Sequence, residues 1–150
     1  MSEVRLSLKA LVIDDARVLT IRCRDDRGDW YMLPGGGQLN GETIPQSLAR
    51  ECLEETGCQV TVGPLRFVRD YIARNHEFAH DSGDFHQVEL WFECETHGDI
   101  VEPSMPDNMQ VGTQWLDLDR LADYRLYPRV LKDILVTKFG PETVYLGDVN

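Results

Sequence analysis

Glu51, Glu54 and Glu55 are the residues of this chain whose types and spacing most clearly suggest chemistry. On an α-helix, offsets of three and four residues place the three carboxylates on one face. Like charges this close repel one another and destabilise the helix unless something neutralises them. Hard divalent cations such as Mg²⁺ or Mn²⁺ prefer carboxylate oxygens and would neutralise them. The spacing therefore predicts a metal site, and a metal site in turn suggests phosphate chemistry.

The segment that carries these carboxylates has the start and stop signals of a short helix. Thr43 is the predicted N-cap, and Gln46 three positions later completes a capping-box pattern. Pro45 falls in the first turn, where its missing N–H costs nothing. Gly57 suits the position after the helix, where a positive φ is favoured. We therefore predict a helix over residues 44–56.

One stripe of this helix is expected to face the core. Ile44, Leu48 and Cys52 recur every four residues and so lie above one another on the same face. The acidic face is expected to lie largely away from this stripe. Arg50 precedes Glu54 by four positions, so an ion pair is expected to hold the Glu54 carboxylate in place.

A glycine-rich run at 33–37 precedes the helix, and glycines let a backbone approach a ligand closely or offer carbonyl oxygens to a metal. Together the run and the helix resemble the Nudix box, the sequence signature of the Nudix (MutT-type) hydrolase family. The chain matches its seven fixed positions with Gly36, Glu42, Arg50, Glu51, Glu54, Glu55 and Gly57. Cys52 and Cys58 occupy its two aliphatic positions, and Leu39 stands where relatives often have a glutamate.

This resemblance implies an α/β fold, the Nudix α/β/α sandwich with a mixed β-sheet between helices. It also implies Mg²⁺- or Mn²⁺-dependent hydrolysis of a nucleoside diphosphate linked to another moiety, by attack of water at phosphorus. A small nucleotide is the expected partner, and a homodimer is expected on the same ground. An ADP-ribose-type substrate and a nucleoside triphosphate both stay open. The alternative is a non-catalytic domain that senses a nucleotide, although such relatives usually lose box carboxylates.

The box residues receive predicted roles from the needs of the reaction. Glu51, Glu54 and Glu55 are the expected metal ligands, with Glu54 the most central, and the backbone carbonyl of Gly35 or Gly36 is an expected further ligand. Glu54, Glu51 and Arg50 are the expected catalytic residues, with Arg50 orienting Glu54.

The general base has several candidates in the sequence. They are Glu54 itself and three carboxylates outside the box, Glu93, Glu95 and Glu102. Many relatives have a glutamate just before the tryptophan of a late strand, but this chain has Gln114 there. Glutamine cannot accept the proton, so that role is not transferred.

Contacts to the rest of the substrate are predicted at five residues: Arg22, Arg24, Arg69, Trp30 and Gly35. Arginine suits bidentate phosphate recognition, tryptophan offers a face for a nucleobase, and glycine allows close approach. Further candidates of the same kinds are Arg66, Tyr31, Tyr71, Phe85 and Trp91.

Length, charge and hydropathy narrow the class of protein. The 150 residues are expected to form a single domain spanning 1–150. A net charge of −11 argues against binding a nucleic acid polymer but not against a small phosphorylated ligand bridged by a metal. With no long apolar run and no basic-then-apolar start, we expect neither a membrane span nor a secretion signal. A cytoplasmic protein with reduced cysteines is the resulting expectation.

Period-two patterns and turn signals predict the remaining elements. Strands are expected at 4–13, 18–23, 30–33, 59–62, 65–73, 85–95 and 111–116, a last helix opens at Pro128, and 144–146 form a final strand or an arm onto a partner subunit. In 85–95, alternation separates a face carrying His86, Val88, Leu90, Phe92 and Cys94 from a polar face carrying Gln87, Glu89, Trp91, Glu93 and Glu95.

Overall fold

The computed structural model describes residues 3–77, 83–100 and 110–150. The strands in these ranges are β1 (Arg5–Leu11), β2 (Ile13–Asp14), β3 (Arg17–Asp25), β4 (Gly28–Met32), β5 (Gly35–Gly37), β6 (Gln59–Ile72), β7 (His86–His97), β8 (Gln110–Asp117) and β9 (Val144–Asp148). The α-helices are α1 (Ile44–Thr56) and α2 (Val130–Thr137), and short 3₁₀ turns cover Ala73–Asn75 and Leu118–Asp123. None of the helices in these ranges is long and apolar enough to cross a membrane.

The described strands divide between two sheets. One has the order β5-β1-β7-β6-β9, in which β1 with β7 and β6 with β9 are parallel and the other pairs antiparallel. In the other sheet, β2, β4 and β8 all pair antiparallel with β3. The first sheet is therefore mixed, which confirms the predicted α/β fold.

Strand β1 explains how this sheet lies between the helices. Leu8 and Ala10 belong to a buried cluster with Leu48 of α1. Leu11 is three residues after Leu8 and one residue after Ala10, and it belongs to a second buried cluster with Leu131 of α2. Because successive side chains of a strand point to opposite faces, β1 packs against α1 on one side and α2 on the other.

Helix α1 has the predicted bounds and the predicted caps. The Thr43 hydroxyl accepts from the Gln46 N–H at 3.3 Å, and the Gln46 side chain accepts from the Thr43 N–H at 2.9 Å. Gly57 has a φ of 72°, and its N–H donates to the Leu53 carbonyl at 2.9 Å. The capping box and the left-handed glycine cap are thus confirmed.

One expectation about the long strands needs correction, and the final strand expected at 144–146 is confirmed. The segments 59–62 and 65–73 form one strand, β6, whose pairing with β7 shifts register between Val62 and Phe67. Residues 144–146 form part of β9, which pairs with β6 of the same chain.

The polar face of β7 is buried over part of its length. Gln87, Glu89 and Trp91 are at most 8% exposed, whereas Leu90 on the opposite face is only half-buried. The alternation is real, but the polar side chains turn inward because Arg69 of β6 neutralises Glu89 and hydrogen bonds satisfy its oxygens.

Candidate active site

A cleft of about 560 Å³ lies beside helix α1. The three carboxylates Glu51, Glu54 and Glu55 line it together with Gly35 and Gly36 of β5. The rest of its lining comes from β1, β4, β6 and β7 and from residues near the end of the chain. The helix and the glycine run, adjacent in sequence, therefore meet at one concave surface.

Arg50 ties the acidic residues of α1 together. Its Nε and Nη2 donate to the Glu42 carboxylate at 2.8 and 3.0 Å. Its Nη1 donates to Glu51 at 3.0 Å and lies 3.4 Å from a Glu54 oxygen. Hydrogen bonds from Arg50 and then Ser47 lower the pKa of Glu42 to about 2. Arg50 thus contacts Glu54, but its shortest contacts are to Glu42.

Glu55 departs from the expectation that the acidic face lies away from the core. It is 4% exposed, and its two oxygens accept from the Gly35 N–H at 2.7 Å and from the Gln110 amide at 2.6 Å. Burial raises the pKa of Glu55 to about 7, although Lys9 and these two hydrogen bonds oppose the shift. This carboxylate therefore holds a proton far more readily than an exposed glutamate does.

The glycines of β5 bring backbone close to other groups because they lack a Cβ. A Cβ on Gly36 would lie 2.5 to 2.7 Å from the carboxyl atoms of Glu51. A Cβ on Gly35, whose φ is +146°, would lie 1.9 Å from the Leu8 carbonyl oxygen. Gly36 therefore makes room for Glu51, and Gly35 allows β5 to pair closely with β1.

A second charged group lines the same cleft. Arg69 Nε and Nη2 donate to the two oxygens of Glu89, each at 2.9 Å, and both side chains are almost fully buried. Gln87 and Trp91 donate to the same carboxylate at 2.7 and 2.9 Å. Burial opposes the charged form of Glu89, but Arg69, Lys9 and these hydrogen bonds outweigh it and hold the pKa of Glu89 below its usual range.

Several cleft residues were missed by the sequence reasoning. They include Arg5, Lys9, Gln87, Glu89 and Asn150. Lys9 pairs with Gly35 across β1 and β5, and Glu89 pairs with Arg69 across β7 and β6. The signal that would have found them is strand register, which a single sequence leaves undetermined here.

The predicted substrate contacts separate into two groups. Trp30, Gly35 and Arg69 line the cleft. Arg22 and Arg24 do not line it; they lie on β3 near Asp29, at 3.8 and 2.7 Å from its carboxylate. The geometry therefore does not support the expectation that both are phosphate contacts, because both arginines lie outside the cleft lining and beside Asp29.

The family follows from a direct match. The family model described as NUDIX domain matches residues 4–134 of the chain. The chain belongs to the Nudix family. A MutT-like protein from Streptomyces ambofaciens is 33% identical over 113 residues, which are 75% of this chain and 63% of that protein. This Nudix chain therefore spans less than two thirds of the length of that relative.

Solved structures share the Nudix fold. A MutT protein from Bacillus halodurans superposes with a TM-score of 0.70 at 20% identity, covering 95% of this chain and 87% of the other. An ADP-ribose pyrophosphatase from Streptococcus suis superposes with a TM-score of 0.66 at 16% identity, covering 97% and 100%. At these identities the likeness concerns the fold.

Nudix proteins use divalent metal ions, and the donor chemistry of this cleft fits such an ion. Three carboxylates and a glycine backbone supply the hard oxygen ligands that Mg²⁺ and Mn²⁺ prefer. Within residues 3–77, 83–100 and 110–150, no three acidic, histidine or cysteine side chains converge closely enough to hold an ion. Arg50 donates hydrogen bonds to Glu51 and Glu54, while Glu55 accepts hydrogen bonds from Gly35 and Gln110.

The general-base candidates of this Nudix domain are not equally placed. Glu54 lines the cleft. Glu93 and Glu95 line a different depression of about 420 Å³, and Glu93 is paired with Arg66 at 3.0 Å. Glu102 lies outside the described residues. Of the described candidates, Glu54 is the one that the cleft contains.

Proposed function

We propose that this Nudix domain hydrolyses a pyrophosphate bond in a nucleoside diphosphate linked to another moiety, with Mg²⁺ or Mn²⁺ as cofactor. The observation that carries the proposal is the meeting of Glu51, Glu54 and Glu55 with the glycines of β5 in one cleft. When bound, the divalent ion neutralises the substrate's charge and lowers the pKa of a coordinated water.

The chain's own part is to hold oxygen ligands in position. Arg50, fixed by two hydrogen bonds to Glu42, restrains Glu51 and Glu54. Gly36 leaves space for the Glu51 carboxylate beside the backbone that would supply a carbonyl ligand. Glu54 is the proposed general base or central ligand, and its side chain remains about a third exposed and hence accessible.

The remainder of the cleft supports a nucleotide as the substrate. Trp30 and Phe85 offer aromatic surfaces, and Arg5 and Lys9 offer positive charge. An ADP-ribose-type substrate is the first to test, since one similar fold is that of an ADP-ribose pyrophosphatase, and nucleoside triphosphates are the second. A homodimer and a cytoplasmic location stay predictions; light scattering coupled to gel filtration tests the dimer.

Phosphate-product release tests the proposal across nucleoside triphosphates, ADP-ribose, other nucleotide sugars and dinucleoside polyphosphates. We expect turnover of one class with Mg²⁺ or Mn²⁺, its loss with EDTA, and its return when the metal is restored. A folded protein that binds Mg²⁺ and nucleotide but hydrolyses none of these would favour the sensing alternative.

The substitution Glu54→Gln tests the role of the central carboxylate. Replacing the charge while keeping the shape should lower kcat by at least about a hundredfold, because a metal ligand or base is lost. Glu142→Gln is the matched control, since Glu142 is an exposed carboxylate outside the cleft lining. Unchanged turnover in Glu54→Gln, with an unchanged fold by circular dichroism, would contradict the assignment.

A further inference from the structure

A strand of the second sheet supplies a donor to the Glu55 carboxylate. The Gln110 amide Nε2 of β8 donates to Glu55 Oε2 at 2.6 Å, and both side chains are buried. The other oxygen, Oε1, accepts from the Gly35 N–H of β5 at 2.7 Å. Each carboxylate oxygen has two acceptor sites, so both oxygens keep one site for a cation. Glu55 is therefore held by two strands of different sheets and retains the capacity to bind a metal ion.

A β-bulge at the start of β8 sets the direction of the Gln110 side chain. Arg22 of β3 pairs with Gly112. The next residue of β3, Cys23, pairs with Gln110, so the pairing skips one residue of β8. A regular register would instead place Gln110 opposite Arg24, whose side chain is exposed. The bulge moves Gln110 to the face of Cys23, which is 1% exposed, and bulges commonly re-aim side chains beside active sites.

This contact differs from those that hold the other two carboxylates of α1. Arg50 restrains Glu51 and Glu54 from within the same helix, whereas the contact between Gln110 and Glu55 joins residues 55 positions apart. Groups that hydrogen-bond a metal-ligating carboxylate orient it, and their removal typically weakens metal binding or activity by about 10- to 100-fold. A carboxylate that is already oriented also loses less conformational freedom when it binds an ion.

We propose that Gln110 is a positioning residue, whose side-chain amide orients the Glu55 carboxylate for binding a divalent cation. The inference rests on the proposed function, because it requires Glu55 to be a metal ligand. Gln110 is not among the described residues that line the cleft, so it acts through Glu55 and not on the substrate. Removing its donor should therefore weaken metal binding, and turnover should fall mainly at limiting metal concentrations.

Electron paramagnetic resonance of Mn²⁺ tests this without turnover, because the signal of the free ion shows how much Mn²⁺ the protein has bound. Gln110→Met keeps the length of the side chain but removes the donor, and it should bind Mn²⁺ roughly tenfold more weakly than the wild type. Gln110→Ala should show a similar loss and carries the test if Gln110→Met does not fold by circular dichroism. Gln114→Met, on the same strand and outside the cleft lining, is the matched control and should bind Mn²⁺ as the wild type does.

A double substitution separates positioning from a general loss of structure. In a Glu55→Gln background, Gln110→Met should change the Mn²⁺ affinity by less than about twofold, because the carboxylate through which it acts is absent. Equal losses in both backgrounds, wild-type affinity in a folded Gln110 variant, or no Mn²⁺ binding by the wild type would overturn the inference. A protein that binds Mn²⁺ in a manner that depends on Gln110 but hydrolyses no nucleotide would support the inference and overturn the proposed function.

Discussion

One substitution at the buried Arg69–Glu89 pair should destabilise this fold strongly. Glu89 is 4% exposed and Arg69 6%, and the carboxylate accepts four hydrogen bonds, two from Arg69 and one each from Gln87 and Trp91. Glu89→Gln keeps the volume but replaces one oxygen with an amide nitrogen that faces donors. It also leaves the Arg69 charge buried without an opposite charge.

The expected loss is large. Breaking a buried ion pair by removing one partner costs roughly 3–5 kcal/mol, and at 2–4 °C per kcal/mol the melting temperature should fall by about 10 °C. Urea denaturation measures the free energy of unfolding directly. Glu95→Gln, at an exposed position of the same strand, is the matched control and should stay within about 0.5 kcal/mol of the wild type.

A double substitution separates the pair from the individual side chains. Arg69→Met with Glu89→Leu removes both charges, so it should destabilise the protein by at least about 1 kcal/mol less than the sum of Arg69→Met and Glu89→Leu. Strictly additive losses would refute the assignment of the cost to an uncompensated charge. So would a Glu89→Gln protein within about 1 kcal/mol of the wild type.

The dependence of stability on pH follows from the direction in which the pKa of Glu89 is shifted. The folded state lowers the pKa of Glu89 from its ordinary value of 4.5, so its ionised form contributes stability above that pH. This contribution is lost as the pH falls through the folded-state pKa. The difference in unfolding free energy between wild type and Glu89→Gln should therefore narrow below about pH 4.5.

Two further predictions concern the glycine strand and the anchor of β9. Gly36→Ala should lower turnover at least about tenfold without unfolding the protein, because its Cβ would lie 2.5 Å from the Glu51 carboxyl carbon. Gly140→Ala, at a position outside the cleft, is the control. Equal kcat values in the two variants would contradict the reasoning. Burial raises the pKa of Asp148, but hydrogen bonds from Asn75, His76 and a backbone N–H outweigh it and hold the pKa at about 2, against an ordinary value of 3.8. Asp148→Asn should therefore lower the free energy of unfolding by about 2 kcal/mol at pH 7, measured by urea denaturation. This difference between wild type and variant should narrow as the pH falls from 3.8 towards 2. A difference that does not change with pH would argue against the ionised Asp148 carboxylate as its origin.

Local signals predicted helix α1 and its carboxylates from the sequence. The capping box of Thr43 and Gln46 and the glycine cap at Gly57 depend on residues a few positions apart, so the bounds of α1 agree with the prediction. The Nudix box also predicted that the α1 carboxylates and the glycine run belong to one site, and both line the same cleft. Their roles as ligands and catalytic groups stay predictions.

Local sequence signals did not predict contacts between residues that are far apart in the chain. The burial of Glu55 depends on Gln110, 55 residues away, and that of Glu89 on Arg69 across a strand pair. Alternation along β7 was readable, but which of its faces turns inward depends on the charge that the neighbouring strand presents there. Arg22 and Arg24 lie on a strand, as Arg69 does, yet only Arg69 of these three lines the cleft. Strand order and register decide this, and the sequence alone did not reveal them.

The sequence by itself therefore determined the family, helix α1 and the chemical character of the site, because spacing along one helix places side chains on a common face whatever the rest of the chain does. The tertiary structure decided which charges are buried, which arginines reach the cleft, and which residues far apart in the chain line it together. These features depend on strand order and register, in which contacts between distant residues compete through packing and desolvation, and no local pattern encodes the outcome.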